Sequence, residues 1–89
     1  MYNANATRIN KNSQIFKILN TIAVKNGATK YECLTEGLGL EGSKQRLRGY
    51  YSVCFRGLSD NGVLSYSKEN YKYHLTQLGI QRYLDAASK

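Results

Sequence analysis

"FRGLSDNGVLSYSKENYKYHLTQLGIQRYL", residues 55–84, changes its hydrophobic period twice. Apolar positions up to "SDNG" recur at helical spacing, and that tetrapeptide is a strong turn signal. Beyond it Leu64 and Tyr66 alternate with Ser65 and Ser67, then Tyr71, Tyr73 and Leu75 alternate with Lys72 and His74. A period of two places alternate side chains on one face of a strand, so the segment reads as a hairpin. A loop over residues 67–70 pairs Tyr66 with Tyr71 and Leu64 with Tyr73. That register puts every large apolar side chain on one face. Thr76 then caps a last helix, in which Ile80, Tyr83, Leu84 and Ala87 fall at i, i+3, i+4 and i+7.

Upstream lies "GSKQRLRGYYSVCFRGLSDNG", residues 42–62, which opens on Ser43 as a helix cap. Stepping about 100° per residue from Lys44 groups Leu47, Tyr50, Tyr51, Cys54 and Leu58 in one arc. Lys44, Gln45, Arg48, Ser52 and Arg56 occupy the opposite arc beside Gly49, with Arg46 and Val53 on the boundary. The spacing predicts one continuous amphipathic helix whose polar side is neutral or positive throughout. "ATKYECLTEGLG" precedes it, with Thr29 and Glu32 in capping-box spacing, an apolar face of Tyr31 and Leu34 with Cys33 beside it, and an end at Gly37 or Gly39. The first helix follows from Asn12 or Ser13, carries Ile15, Leu19 and Ile22 on one stripe with Phe16 and Ala23 beside it, and stops at Gly27. Residues 1–12 are Asn-rich and aperiodic, and read as a flexible basic arm; residues 13–89 form the domain.

The order helix, helix, Gly-rich turn, helix, hairpin, helix resembles a winged helix-turn-helix domain of the kind found in bacterial and phage regulators. "FRGLSDNGVLSY" looks like the end of a recognition helix entering the first wing strand. "YKYHLTQLGIQRYL" is similar to the second wing strand and its closing helix. The resemblance implies a mainly α fold with a small β-hairpin. The "LGLEGS" turn is longer than the family's usual one. The strand often found between the first two helices would have to fit into "NGAT", where it is vestigial or missing. Winged helices also serve as protein-binding and RNA-binding modules, so function has to come from the residues themselves.

The chain has 89 residues and a formal net charge of +7, with 42% hydrophobic and 21% charged residues. Such a chain folds as one small domain, and its positive excess favours a polyanionic partner. The N-terminus lacks the apolar stretch of a secretory signal, and the longest aliphatic runs fall far short of a membrane span. The expectation is a cytoplasmic protein of a bacterial or phage-infected cell with no membrane contact. Cys33 and Cys54 lack C-x-x-C spacing and are expected to be reduced and buried. The Tyr, Asn and Lys bias is what AT-rich codons produce, which hints at a phage, mobile-element or low-GC source.

Catalysis finds little material. His74 stands alone and is expected outward on the wing, and no Cys, His or Asp cluster has metal-ligand spacing. Gly37, Gly39 and Gly42 follow a helix rather than a strand, so they read as turn glycines and not as a phosphate loop. The chain is expected to be no enzyme and to need no cofactor or metal.

Nucleic-acid recognition has better material. An α-helix fits the major groove of B-DNA, where arginine pairs with guanine and glutamine with adenine. Lys44, Gln45 and Arg48 are therefore assigned to base edges, and Ser52 and Arg56 to phosphates or the groove edge. Lys68, Asn70 and Lys72 supply wing contacts, and Arg8 and Lys11 supply arm contacts. Gly49 costs about 0.5–1 kcal/mol in mid-helix, which close backbone approach to DNA or to a neighbouring helix would explain. Tyr66, Tyr71 and Tyr73 could stack unpaired bases, but their alternation favours a core-packing sheet face.

Three functions follow in order. The first is a sequence-specific double-stranded DNA-binding protein acting in transcription regulation, as a monomer or as a homodimer on two half-sites. The second is an adaptor that uses the scaffold to bind a protein of the transcription machinery or another host factor. The third is an RNA or single-strand binder.

Overall fold

The structure, a computed structural model, describes residues 13–88. Arg8 and Lys11 lie outside the described residues. The chain is mainly helical, with one small three-stranded antiparallel sheet.

Ser13 begins the first helix as expected, its hydroxyl accepting from the Phe16 amide at 3.1 Å. Helix α1 (Gln14–Lys25) buries Ile18, Leu19 and Ile22, and ends on Asn26 in the left-handed conformation. Residues 28–29 form β1 (Ala28–Thr29), the short strand for which "NGAT" left room. Thr29 and Glu32 then close the expected capping box: the Glu32 amide donates to Thr29 Oγ1 at 3.1 Å, and the Thr29 amide to Glu32 Oε1 at 2.8 Å. Helix α2 (Lys30–Glu32) widens into a π-helical segment (Cys33–Gly37) that packs on α1. A Cβ on Gly37 would lie 2.5 Å from Thr21 Oγ1, so the missing side chain sets that close approach.

The third helix is not continuous. Ser43 caps α3 (Lys44–Leu47), a single turn, and a second helix, α4 (Ser52–Asp60), starts afresh after Tyr51. Tyr51 takes the left-handed conformation with φ +58°. Gly49 has no atom within 4 Å of where its Cβ would be, so no neighbouring helix approaches it; it lies in the turn between the two helices. The reason for the break is Phe55. In a continuous helix it would stand at about 20°, between Lys44 at about 0° and Arg48 at about 40°, on the polar face. The break instead buries it to 1% exposure against Tyr73, with ring centroids 4.9 Å apart. Tyr50, expected in the apolar arc, is exposed, and Cys54 is only half-buried.

Helix α4 leaves through Asn61 and Gly62 (φ +77°) into β2 (Leu64–Ser67), and the chain returns in β3 (Lys72–Leu75). The sheet order is β1-β3-β2. The hairpin register differs from expectation by two residues: Tyr66 pairs with Tyr73 and Leu64 with Leu75. A shift of two preserves the face of every strand residue, so alternation alone could not detect it. The loop runs over residues 68–71 and closes on Tyr71 at φ +61°, while the Lys72 amide donates to Asn70 Oδ1 at 3.1 Å. Tyr71 is therefore a loop residue and not a strand residue.

Thr76 caps α5 (Gln77–Ala87), accepting from the Gly79 amide at 3.0 Å. The inward face of α5 is Gly79, Tyr83 and Ala86, and the expected stripe residues Ile80 and Leu84 are exposed. Two contacts set this rotation. Gly79 lies so close to the Val63 carbonyl that a Cβ would come within 2.1 Å of its oxygen, and Tyr83 stacks on Phe16 with centroids 5.3 Å apart. The core beneath gathers Ile18, Leu19, Ile22, Leu34, Leu47, Phe55 and Val63. None of the helices is long and apolar enough to cross a membrane among the described residues.

Candidate nucleic-acid interface

The capped turn α3 projects Lys44, Gln45, Arg46 and Arg48 into solvent around the single buried anchor Leu47. Lys44 and Arg48 also line a cleft of about 500 Å3 that the hairpin lines too, through Tyr66, Asn70 and Tyr71. The structure therefore brings Lys44, Arg48 and Asn70 together. Gln45, Arg56 and Lys68 are exposed but line no part of that cleft. Lys72 is half-buried in β3, paired with Thr29 on one side and Ser67 on the other.

Ser52 has a different position from the rest. Its hydroxyl donates to the Arg48 carbonyl at 3.2 Å and accepts from Lys30 Nζ at 2.7 Å. Lys30 Nζ also donates to the Arg48 carbonyl. One ammonium thus bridges the last carbonyl of the α3 turn and the first residue of α4, holding the break in shape. Partial burial lowers the Lys30 pKa from its ordinary value. Its ammonium also lies 6.0 Å from the Phe55 ring centroid, so the clamp and the buried ring are one assembly.

Lys30 was not among the sequence candidates, yet the sequence held a signal for it. A cation at the first turn of a helix faces the positive end of the helix dipole, which is unfavourable without another partner. Tyr31 was read only as part of an apolar face; it also carries Lys44 Nζ 5.7 Å from its ring centroid and donates its hydroxyl to the Gly42 carbonyl at 3.3 Å.

The negative charge is placed elsewhere. Glu32 and Glu36 both pair with Lys25 at 3.2 Å. The Lys25 pKa rises mainly through its hydrogen bond to Glu36, and the Glu32 carboxyl is lowered chiefly by the Thr29 backbone amide. Among the described residues no carboxylate lines the cleft. His74, expected outward, is half-buried instead, with its ring stacked so closely over Gly27 that a Cβ there would meet Cε1 at 2.4 Å. Burial pushes the Cys33 thiol up to about 12 and raises that of Cys54. Among the described residues no group of three or more His, Cys, Asp or Glu side chains could hold a metal ion.

Comparison with protein-family models, with curated proteins and with solved structures finds no match to this chain.

Proposed function

We propose that this chain is a winged helix-turn-helix protein that binds double-stranded DNA, acting as a small transcriptional regulator. The order helix, strand, α2 with its π-helical segment, α3, α4, hairpin and closing helix, with β1 adding to β3, supports that reading of the fold. The observation that carries the function is that exposed Lys44 on α3, exposed Arg48 at its C-terminal end and the hairpin line one cleft, which no carboxylate among the described residues lines.

With only one turn before the break, α3 enters the major groove end-on rather than lying along it. Lys44, Gln45 and Arg48 then meet base edges, with arginine bridging guanine O6 and N7. Arg56 on α4 and Lys68 at the hairpin tip reach phosphates on either side. Ser52 and Lys30 hold the turn in place. Dimerisation on two half-sites would multiply affinity.

The test compares two substitutions of equal charge change. Arg48→Glu and Lys17→Glu each replace an exposed cation with an anion, the second on α1, which carries none of the assigned contacts. Titration of labelled duplex is expected to show Arg48→Glu losing at least tenfold in affinity and Lys17→Glu far less. Equal losses would reduce the interaction to bulk charge and overturn the assigned face.

One observation favours a second reading, the protein-binding adaptor. Ile80 and Leu84 stand 45% and 57% exposed on α5, an apolar pair turned away from the core. Retained DNA binding in an Ile80→Ser/Leu84→Ser variant would assign that pair to a separate role.

A further inference from the structure

The tyrosines of the cleft suit more than a wall beside duplex DNA. Phe55, Tyr73 and Tyr66 form a row of rings running from the core to the surface, with successive centroids 4.9 and 4.8 Å apart. The inner rings fix the outermost, and Tyr66 is still 46% exposed. Tyr71, at the hairpin tip, is 67% exposed and sits at φ +61°. That backbone is unfavourable for a bulky residue, and a loop needing only to turn would place glycine there. Its ring nevertheless lines the cleft.

Lys30, Lys44 and Arg48 line the same cleft, and the Lys30 ammonium also donates to Ser52 at the junction of the two helices. The exposed Asn70 side chain, whose oxygen accepts from the Lys72 amide, also lines the cleft. The volume of about 500 Å3 lies within the range of small-ligand sites. Exposed tyrosines and cations lining one cleft, with no carboxylate among its described residues, describe a site for a planar aromatic group that carries an anion. Bases inside a duplex offer only their edges, whereas these rings need a base face.

We propose that the cleft binds one unpaired nucleotide of a strand, its base against Tyr66 and Tyr71 and its phosphate at Lys44 and Arg48. This rests on the reading of the same face as a nucleic-acid interface, and makes the preferred target a duplex with an unpaired nucleotide beside it. Tyr66 and Tyr73 thereby divide the work: Tyr73 belongs to the packed face expected from alternation, while Tyr66 and loop-borne Tyr71 carry the stacking.

The experiment uses two duplexes containing 2-aminopurine, either paired in mid-helix or unpaired as a single-nucleotide bulge. The full chain should bind the bulged duplex about tenfold more tightly, since stacking on an aromatic side chain contributes about 1–3 kcal/mol per base. The 2-aminopurine emission should fall on binding. Tyr71→Gly removes an exposed ring and relieves the left-handed backbone, so it should fold at least as well while losing the preference for the bulged duplex. Tyr66→Leu, which keeps an apolar contact to Tyr73, should reduce the preference as well.

Equal affinity for both duplexes with no change in emission would overturn the cleft assignment and leave duplex binding intact. Binding of neither duplex would overturn both. Adenosine monophosphate separates a strand from a free nucleotide as the source. Displacement only at millimolar concentration supports the strand, and displacement at micromolar concentration overturns it.

Discussion

Replacing Phe55 by alanine tests the break in the third helix, on which the geometry of the interface depends. The ring is 1% exposed, packs on Tyr73 at 4.9 Å and has the Lys30 ammonium 6.0 Å from its centroid. Truncating a buried phenylalanine costs about 3–5 kcal/mol, and the loss of Tyr73's ring partner places this case in the upper half. An 89-residue domain has about 4–13 kcal/mol in total, so Phe55→Ala is expected to sit near the edge of folding. Phe55→Leu is the graded companion, expected to cost about 1 kcal/mol. The assay is equilibrium unfolding in urea, followed by far-ultraviolet circular dichroism, with the slope m unchanged between variants. Val53→Ala serves as control, since Val53 is 80% exposed and its truncation should change stability by less than about 0.5 kcal/mol. A continuous helix would place Phe55 on the solvent face between Lys44 and Arg48. A loss below about 1 kcal/mol for Phe55→Ala would therefore refute the broken helix, and with it the end-on entry of α3.

Three more outcomes follow from the packing. Gly79→Ala gains about 1 kcal/mol of helix propensity, but its Cβ would lie 2.1 Å from the Val63 carbonyl oxygen, so a net loss of about 2–3 kcal/mol is expected in urea titration. Glu32→Gln is expected to destabilise by about 1 kcal/mol at neutral pH through the weakened capping box. Because the folded-state pKa of Glu32 lies below its ordinary 4.5, its contribution is present above that pH and is lost as pH falls through the folded value, so the two proteins should converge in acid. Arg48→Glu changes an exposed side chain and should leave the unfolding free energy within about 0.5 kcal/mol of the parent in urea titration.

The elements with local chemical signals were legible in the sequence. Ser13, Thr29, Ser43 and Thr76 all cap where their side chains and the following residues indicated. The hairpin was visible in its period of two, because strand alternation survives any register shift by two. Its true register depends on Tyr71 adopting a left-handed backbone, for which a tyrosine gives no signal. The break after α3 was hidden for the same reason: Tyr51, and not the nearby Gly49, takes the left-handed position. Its cause is tertiary, the burial of Phe55 against a strand that follows in the chain. The rotation of α5 was equally illegible, since Ile80 and Leu84 are better apolar candidates than Gly79, and only the Val63 carbonyl explains why the glycine faces inward. For the interface, the positions of Lys44 and Arg48 near the start of a capped helix were readable, whereas the clamp by Lys30 spans separate elements and appears only in the fold.

The most direct test of the central claim is the salt dependence of duplex binding. Lys44, Arg48, Arg56 and Lys68 are exposed cations available to phosphates or base edges. With Arg56 and Lys68 at phosphates, about two are neutralised, and the logarithm of the association constant should fall against the logarithm of salt concentration with a slope of roughly −1.8. Arg56→Glu should make that slope shallower. Failure to bind duplex DNA at low salt would contradict the account.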